Sequence, residues 1–149
     1  IVAICYEGLP WFTGAAIFTV SLPNKEILMV LTLYALGAHG IMTMNDFKAT
    51  KGDKLLGVNS LPVILGSKSA TLVACLTMLF PQLIVISLFY SWGSLILVAI
   101  LSICVLLQAL SMIFLMKDPE KNTPFFNMTG VLLYITGMML SANGLYLMN

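Results

Sequence analysis

Residues 94–116 read SLILVAILSICVLLQALSMIFLM and contain no charged side chain. About 20 mostly apolar residues are enough for an α-helix to cross the hydrocarbon core of a bilayer. Backbone polar groups must be paired inside lipid, and this run lacks the two-residue alternation of a barrel strand. It therefore predicts a transmembrane helix.

Four further stretches share this apolar character, although Glu7 and Pro10 interrupt the first of them. The five predicted spans are roughly residues 1–22, 26–44, 69–90, 94–116 and 127–148. The chain is 60% hydrophobic and 9% charged, whereas soluble domains carry about 25% charged residues. The sequence therefore predicts an all-α membrane protein embedded in a lipid bilayer.

The lysines are distributed unevenly between the two sides that five spans define. Residues 45–68 and 117–126 fall on one side, and the short turn that contains Lys25 falls on the other. The first side carries Lys48, Lys51, Lys54, Lys68, Lys117 and Lys121. Because cytoplasmic connections are enriched in lysine and arginine, we expect the lysine-rich side to be cytoplasmic.

Other features of the composition say less about function. Cys5, Cys75 and Cys104 stand singly in apolar stretches, a pattern that indicates neither a zinc site nor a disulfide framework. The net charge of +1 argues neither for nor against a nucleic-acid partner, and we expect none. The chain opens at Ile1 inside an apolar stretch, so we expect it to be a fragment of a longer protein.

The connection after the second span contains the most informative polar residues, because residues 45–54 read NDFKATKGDK. Asp46 and Asp53 are seven residues apart, so on one continuous helix their carboxylates share a face, about 10.5 Å apart along the axis. Mg²⁺ often binds through one or two carboxylates and substrate phosphates, and lysines stabilise the remaining phosphate charge. Spacing alone leaves an alternative, a solvated and charged loop that only sets the membrane topology.

The pattern NDFK-x3-GD-x3-G-x2-SLPV over residues 45–63 resembles the second Asp-rich motif of the UbiA superfamily of intramembrane prenyltransferases. Within that superfamily it is similar to the chlorophyll and bacteriochlorophyll synthase branch. The stretches YEGLPWFTG at 6–14 and GAHGIMT at 37–43 point to the bacteriochlorophyll branch, and TGVLLY at 129–134 fits the last span of the family. The resemblance therefore extends over the whole chain.

This resemblance implies a nine-helix fold of which residues 1–149 form helices five to nine, the C-terminal part of a single domain. The first Asp-rich motif of the family would lie upstream. Asp46 and Asp53 would hold Mg²⁺ on the diphosphate. Lys48 and Lys54 would contact the diphosphate, and Asn45 would assist.

The sequence departs from the family pattern at two of these lysines. Lys54 stands where the family usually has arginine, which keeps the charge and loses the planar fork. Lys51 stands where the pigment synthases usually have an acid. That exchange either weakens metal binding or adds a phosphate contact.

The implied reaction esterifies the propionate of a (bacterio)chlorophyllide with geranylgeranyl or phytyl diphosphate in a bacterial inner or photosynthetic membrane. Three alternatives remain at this point. The first is another acceptor, such as a quinone, homogentisate or haem precursor, and the second is a catalytically silent pigment-binding scaffold. The third is a small transporter module, which predicts more ionisable residues within the spans than Glu7 and His39.

Three residues inside the spans are further candidates for substrate binding. Glu7 is an acid within a span, where acids are functional or paired within the bundle. Trp11 either lines a cavity or packs between helices. His39 lies seven residues before Asp46 and either ligates the pigment's magnesium or hydrogen-bonds within the bundle.

Overall fold

The computed structural model describes residues 4–17 and 22–148, and within these ranges the chain is helical without a strand. A π-helical turn, Ile4–Gly8, leads into the first α-helix. The helices are α1 (Leu9–Ile17), α2 (Lys25–Asp46), α3 (Thr50–Leu56), α4 (Leu61–Leu65), α5 (Ser67–Ser91), α6 (Leu95–Lys117), α7 (Pro119–Met128) and α8 (Gly130–Met148). The predicted all-α fold is confirmed.

Four helical segments in the described ranges are long and apolar enough to cross a membrane: Lys25–Asp46, Ser67–Ser91, Leu95–Lys117 and Pro119–Met148. They correspond to the last four of the five predicted spans. The first predicted span, residues 1–22, is described only in part. Its described part consists of the π-helical turn and α1, and residues 1–3 and 18–21 lie outside the described ranges.

Residues 117–126, expected to connect two spans, are largely helical and form most of α7. The Asp118 side chain accepts a hydrogen bond from the backbone nitrogen of Lys121 at 3.3 Å, and Pro119 occupies the first helical position. Both features favour the start of a helix. The helix is interrupted at Thr129, next to the point where the Phe126 ring lies against Gly130.

The long connection between α2 and α5 is ordered. It forms the short helices α3 and α4, and Gly57 ends α3 in the left-handed conformation with φ of 69°. Glycine is the usual residue at this position because it has no Cβ to clash there. The connection is therefore a structured element at the end of α2.

Close packing between α2 and α5 depends on a small residue. A Cβ placed on Gly40 would overlap the Ala74 carbonyl and the Met78 side chain. Glycine at such a contact lets two membrane helices approach closely. The buried side chains around this contact are Val30, Tyr34, Met44, Ala70, Ala74, Met78 and Val85.

The two lysine-bearing connections meet at one end of the helices. The Ser67 hydroxyl, at the start of α5, donates a hydrogen bond to the Glu120 carboxylate in α7 at 2.8 Å. This contact joins the segment that follows α4 to the segment that follows α6. The end of the bundle that carries Asp46 therefore also carries most of the positive charge.

Candidate active site

The Asp-rich segment, residues 45–54, contains a helix break that the seven-residue spacing of Asp46 and Asp53 did not predict. Helix α2 ends at Asp46, and α3 begins only at Thr50. In the turn between them, Lys48 N donates to Asn45 O at 3.3 Å and Ala49 N donates to Asp46 O at 3.0 Å. These bonds span three residues, as in a tighter 3₁₀-like turn. The expected continuous helix from Asp46 to Asp53 is therefore wrong.

A buried aromatic side chain and two side-chain hydrogen bonds lie at this turn. Phe47 is only 6% exposed and belongs to the same buried cluster as Met44 and Ala70. The Thr50 hydroxyl then bonds to the carbonyl oxygens of Asp46 and Phe47, at 3.2 and 3.1 Å. These contacts hold the start of α3 against the end of α2.

Despite the break, the two aspartates remain a pair. Both aspartates are partly buried, and Asp46 is affected first by its own burial and second by repulsion from the negative charge of Asp53. In the described residues the one ion pair is Lys25–Glu26, at 3.8 Å, so no lysine neutralises either aspartate. A cation between the carboxylates would relieve this repulsion.

The neighbouring cationic groups are free to bind an anion. Lys48, Lys51 and Lys54 are exposed, and Asn45 is exposed beside them. An ammonium group on a flexible stem is a mobile point charge that can follow a phosphate. Two acids and three lysines therefore share one short segment at the end of a membrane helix.

The donor set suits Mg²⁺ that is shared with a substrate. Among the residues that the structure describes, no group of three or more His, Cys, Asp and Glu side chains gathers to hold a metal ion. Two carboxylates leave most of an octahedral shell to other oxygens. Mg²⁺ commonly takes such oxygens from water and substrate phosphates.

His39 lies inside α2, seven residues before Asp46. Helix α2 runs unbroken through both residues, so His39 and Asp46 share a face, about 10.5 Å apart along the axis. The His39 side chain is partly exposed, and its carbonyl oxygen accepts a hydrogen bond from the Thr43 hydroxyl at 3.0 Å. The His39 imidazole thus lies on the same side of α2 as Asp46, about two helical turns before it.

Glu7 and Trp11 lie farther from the aspartates. Glu7 is partly buried in the π-helical turn, and such turns often occur at functional sites. Trp11 packs against Tyr34 of α2, with ring centroids 6.1 Å apart. Tyr34 lies twelve residues before Asp46, about 18 Å along the helix. The structure therefore does not bring Trp11 close to the Asp-rich segment.

Sequence reasoning did not identify a buried polar contact between α2 and α8. The Tyr134 hydroxyl donates to the Tyr34 carbonyl at 2.6 Å, and the Tyr34 hydroxyl shares a 2.9 Å hydrogen bond with the Ser141 hydroxyl. Tyrosines in the middle of apolar spans were the available signal. Their partners are 100 and 107 residues away in the chain, so no local pattern reveals them.

Comparisons with known proteins identify relatives of this chain. The chain is 49% identical over 142 residues to the bacteriochlorophyll synthase 33 kDa chain of Cereibacter sphaeroides, covering 95% of this chain and 47% of that protein. It is 41% identical over 145 residues to the bacteriochlorophyll synthase 34 kDa chain of Chloroflexus aurantiacus, covering 97% and 46%. It is 31% identical over 138 residues to the chloroplastic chlorophyll synthase of Avena sativa, covering 92% and 36%.

The chain spans about half the length of the bacteriochlorophyll synthase relatives that it matches. No solved structure matches it. The profile of the UbiA prenyltransferase family matches residues 1–142. This range includes the whole Asp-rich segment, helices α1 to α7 and the first part of α8. The chain therefore belongs to the UbiA prenyltransferase family.

Proposed function

We propose that the intact protein is a Mg²⁺-dependent prenyltransferase that esterifies the propionate of a (bacterio)chlorophyllide with geranylgeranyl or phytyl diphosphate. The observation that carries the proposal is the partly buried pair Asp46 and Asp53 at the end of a membrane helix, flanked by exposed lysines that form no ion pair within the described ranges. The names of the matched relatives support a chlorin acceptor.

The proposed site residues divide between metal and phosphate. Asp46 and Asp53 would hold the divalent ion, and Lys48 and Lys54 would contact the diphosphate, with Asn45 beside them. Lys51 is exposed and unpaired among the described residues, which supports a phosphate contact at this position. Bound here, Mg²⁺ would supply charge neutralisation for the leaving diphosphate.

The chemistry requires few side chains. The allylic carbon–oxygen bond breaks, and both electrons leave with the diphosphate. A carboxylate oxygen of the chlorophyllide then donates an electron pair to the carbocation, which forms the ester. A propionic acid has a pKa of about 4–5, by analogy with Asp and Glu, so at neutral pH it is already the nucleophile. The protein must orient the substrates and exclude water.

Glu7, Trp11 and His39 would serve the acceptor or the prenyl chain instead of the diphosphate. His39 follows Asp46 down the same face of α2, and Trp11 contacts that helix farther along at Tyr34. A flat pigment or a long prenyl chain that extends from the Asp-rich segment would meet His39 first and Trp11 farther along α2. Their distance from the aspartates supports this division of roles.

We infer that residues 1–149 are the C-terminal part of one domain, and that the other part supplies the first Asp-rich motif, which would face the second motif in residues 45–63. The coverage of about half of each bacteriochlorophyll synthase relative supports this view. We also infer that the Asp-rich end faces the cytoplasm of a bacterial inner or photosynthetic membrane, because six lysines lie in the connections at that end.

The test is a turnover assay of the intact protein in liposomes with geranylgeranyl diphosphate, bacteriochlorophyllide and Mg²⁺. We expect esterified pigment, and we expect EDTA to abolish its formation. Turnover with a quinone, homogentisate or haem precursor but not with the chlorin would assign another acceptor. A protein that binds pigment without releasing diphosphate would be a silent scaffold, and the proposal would be wrong.

A further inference from the structure

A strip of exposed and partly exposed side chains runs along α2 from Asp46 toward the middle of the span. Leu36 and Met42 are exposed, and His39 between them is partly exposed. These residues follow one another at intervals of three or four positions, so they lie on one side of the helix. The side of α2 that carries Gly40 is instead packed against α5.

The His39 imidazole has no partner in the described part of the bundle. Its side chain forms no hydrogen bond and no ion pair there, and the Thr43 hydroxyl reaches only the His39 carbonyl oxygen. An ionisable residue inside a membrane span is usually paired or functional, and His39 lies inside a candidate span. Of the two roles that the sequence allows for His39, the structure therefore favours ligation over a hydrogen bond within the bundle.

An imidazole nitrogen matches the open coordination position of the acceptor pigment. The magnesium of a (bacterio)chlorophyllide is bound by four ring nitrogens and takes a further ligand perpendicular to the macrocycle. Imidazole is the commonest metal ligand among side chains, and His39 is the single histidine of the chain. Leu36 and Met42 on either side of it offer an apolar surface to a flat ring.

We propose that His39 binds the central magnesium of the (bacterio)chlorophyllide as an axial ligand and thereby positions the acceptor. This inference rests on the proposed function, because it concerns the acceptor of that reaction. The lone pair of an imidazole nitrogen forms the bond to magnesium and replaces the water that holds this position in solution. Apart from this exchange of ligands, no bond of the pigment is made or broken.

The distance along α2 agrees with this placement. The path from the metal through a ring nitrogen and the propionate to a carboxylate oxygen has about seven bonds, an extended length of roughly 8–9 Å. His39 and Asp46 are about 10.5 Å apart along the helix axis. A macrocycle bound at His39 with its propionate directed toward Asp46 therefore brings the nucleophile close to the proposed diphosphate site. Such orientation is what the reaction requires of the protein.

Two pigments that differ only at the metal test the proposal. The probes are Mg-bacteriochlorophyllide and its metal-free counterpart, in which two protons replace the metal. Each is titrated against the intact protein in lipid nanodiscs without prenyl diphosphate, and binding is followed by pigment fluorescence. We expect the unmodified protein to bind the magnesium pigment more tightly than the metal-free one. Equal affinities would overturn the proposal without the need for a variant.

The variant His39→Leu removes the ligand and keeps an apolar side chain. We expect it to weaken binding of the magnesium pigment about tenfold or more, since even the loss of groups that support a metal ligand costs about 10–100-fold. Its affinity for the metal-free pigment should be nearly unchanged. An equal effect on both pigments would show that His39 only packs against the ring, and no effect on either would remove it from the site. Both results would overturn the proposal.

The control variant is Leu36→Ala, which removes apolar surface from the same side of α2 but no ligand. We expect it to weaken the binding of both pigments by the same factor. Esterification of the magnesium pigment by the unmodified protein tests the proposed function separately. If the pigment is esterified and His39→Leu keeps the preference for the metal, the ligand assignment alone is wrong. If the unmodified protein binds neither pigment, both proposals are wrong.

Discussion

At the scale of single residues, the charged segment could be read from the sequence because its members are neighbours in the chain. Asp46, Asp53 and the lysines between and beside them lie within ten consecutive positions. The contacts of Tyr34 could not be read in the same way, because Tyr134 and Ser141 reach it only after the fold has formed. A cluster of charged residues that are neighbours in the chain could be predicted from the sequence. Hydrogen bonds between residues of distant helices could not.

Lys51 provides a prediction about the lysines. It is exposed and forms no ion pair with the aspartates in the described residues, so its charge is available to the diphosphate. We expect Lys51→Gln to raise KM for the prenyl diphosphate about threefold to tenfold, a loss of about 1 kcal/mol of binding, with little change in kcat. Steady-state kinetics on the intact protein measure both constants.

The matched control for that variant is Lys117→Gln, which removes a lysine at the end of α6, outside the Asp-rich segment. We expect its KM to match that of the unmodified protein. If Lys51→Gln lowered KM or increased kcat, the lysine would be impairing the site instead of contacting phosphate.

At the scale of elements, the apolar runs predicted the last four spans because length and composition alone decide whether a helix can cross a bilayer. The ends of the elements were less predictable. The break at 47–49 occurs where Phe47 is buried, and α7 begins at the cap formed by Asp118. Both depend on contacts that hydropathy does not register.

The contact between α2 and α5 gives a prediction at this scale. A methyl group at Gly40 would overlap the Ala74 carbonyl and the Met78 side chain, so one helix must shift. We expect Gly40→Ala to destabilise the protein by about 1–3 kcal/mol, the usual effect of overpacking. Thermal unfolding in detergent measures the change, and Gly14→Ala, which meets no atom within 4 Å, is the control. Equal midpoints for the two variants would contradict close packing at Gly40.

At the scale of the whole molecule, the charge distribution predicts an orientation in the membrane. The lysine-bearing connections meet through Ser67 and Glu120, so one end of the bundle carries both. The opposite end includes the turn between α5 and α6. The positive end should face the cytoplasm, since lysines are retained on that side during insertion.

Accessibility of introduced cysteines tests this orientation. In a variant of the intact protein without its native cysteines, Lys68→Cys and Ser91→Cys would place one thiol at each end of α5. We expect a membrane-impermeant maleimide added outside spheroplasts to label position 91 and not position 68. Labelling of position 68 alone would reverse the orientation and place the Asp-rich segment on the outer side.

The most direct test of the account is the effect of one carboxylate on turnover by the intact protein. We predict that Asp53→Asn lowers kcat/KM for ester formation by about 100-fold or more, a loss of roughly 3 kcal/mol of transition-state stabilisation. The control is Glu26→Gln, which removes an acid at the other end of α2 and should leave the rate unchanged. Full activity of the Asp53→Asn variant, with Mg²⁺ dependence intact, would contradict the central claim that the paired aspartates hold the ion that carries the diphosphate.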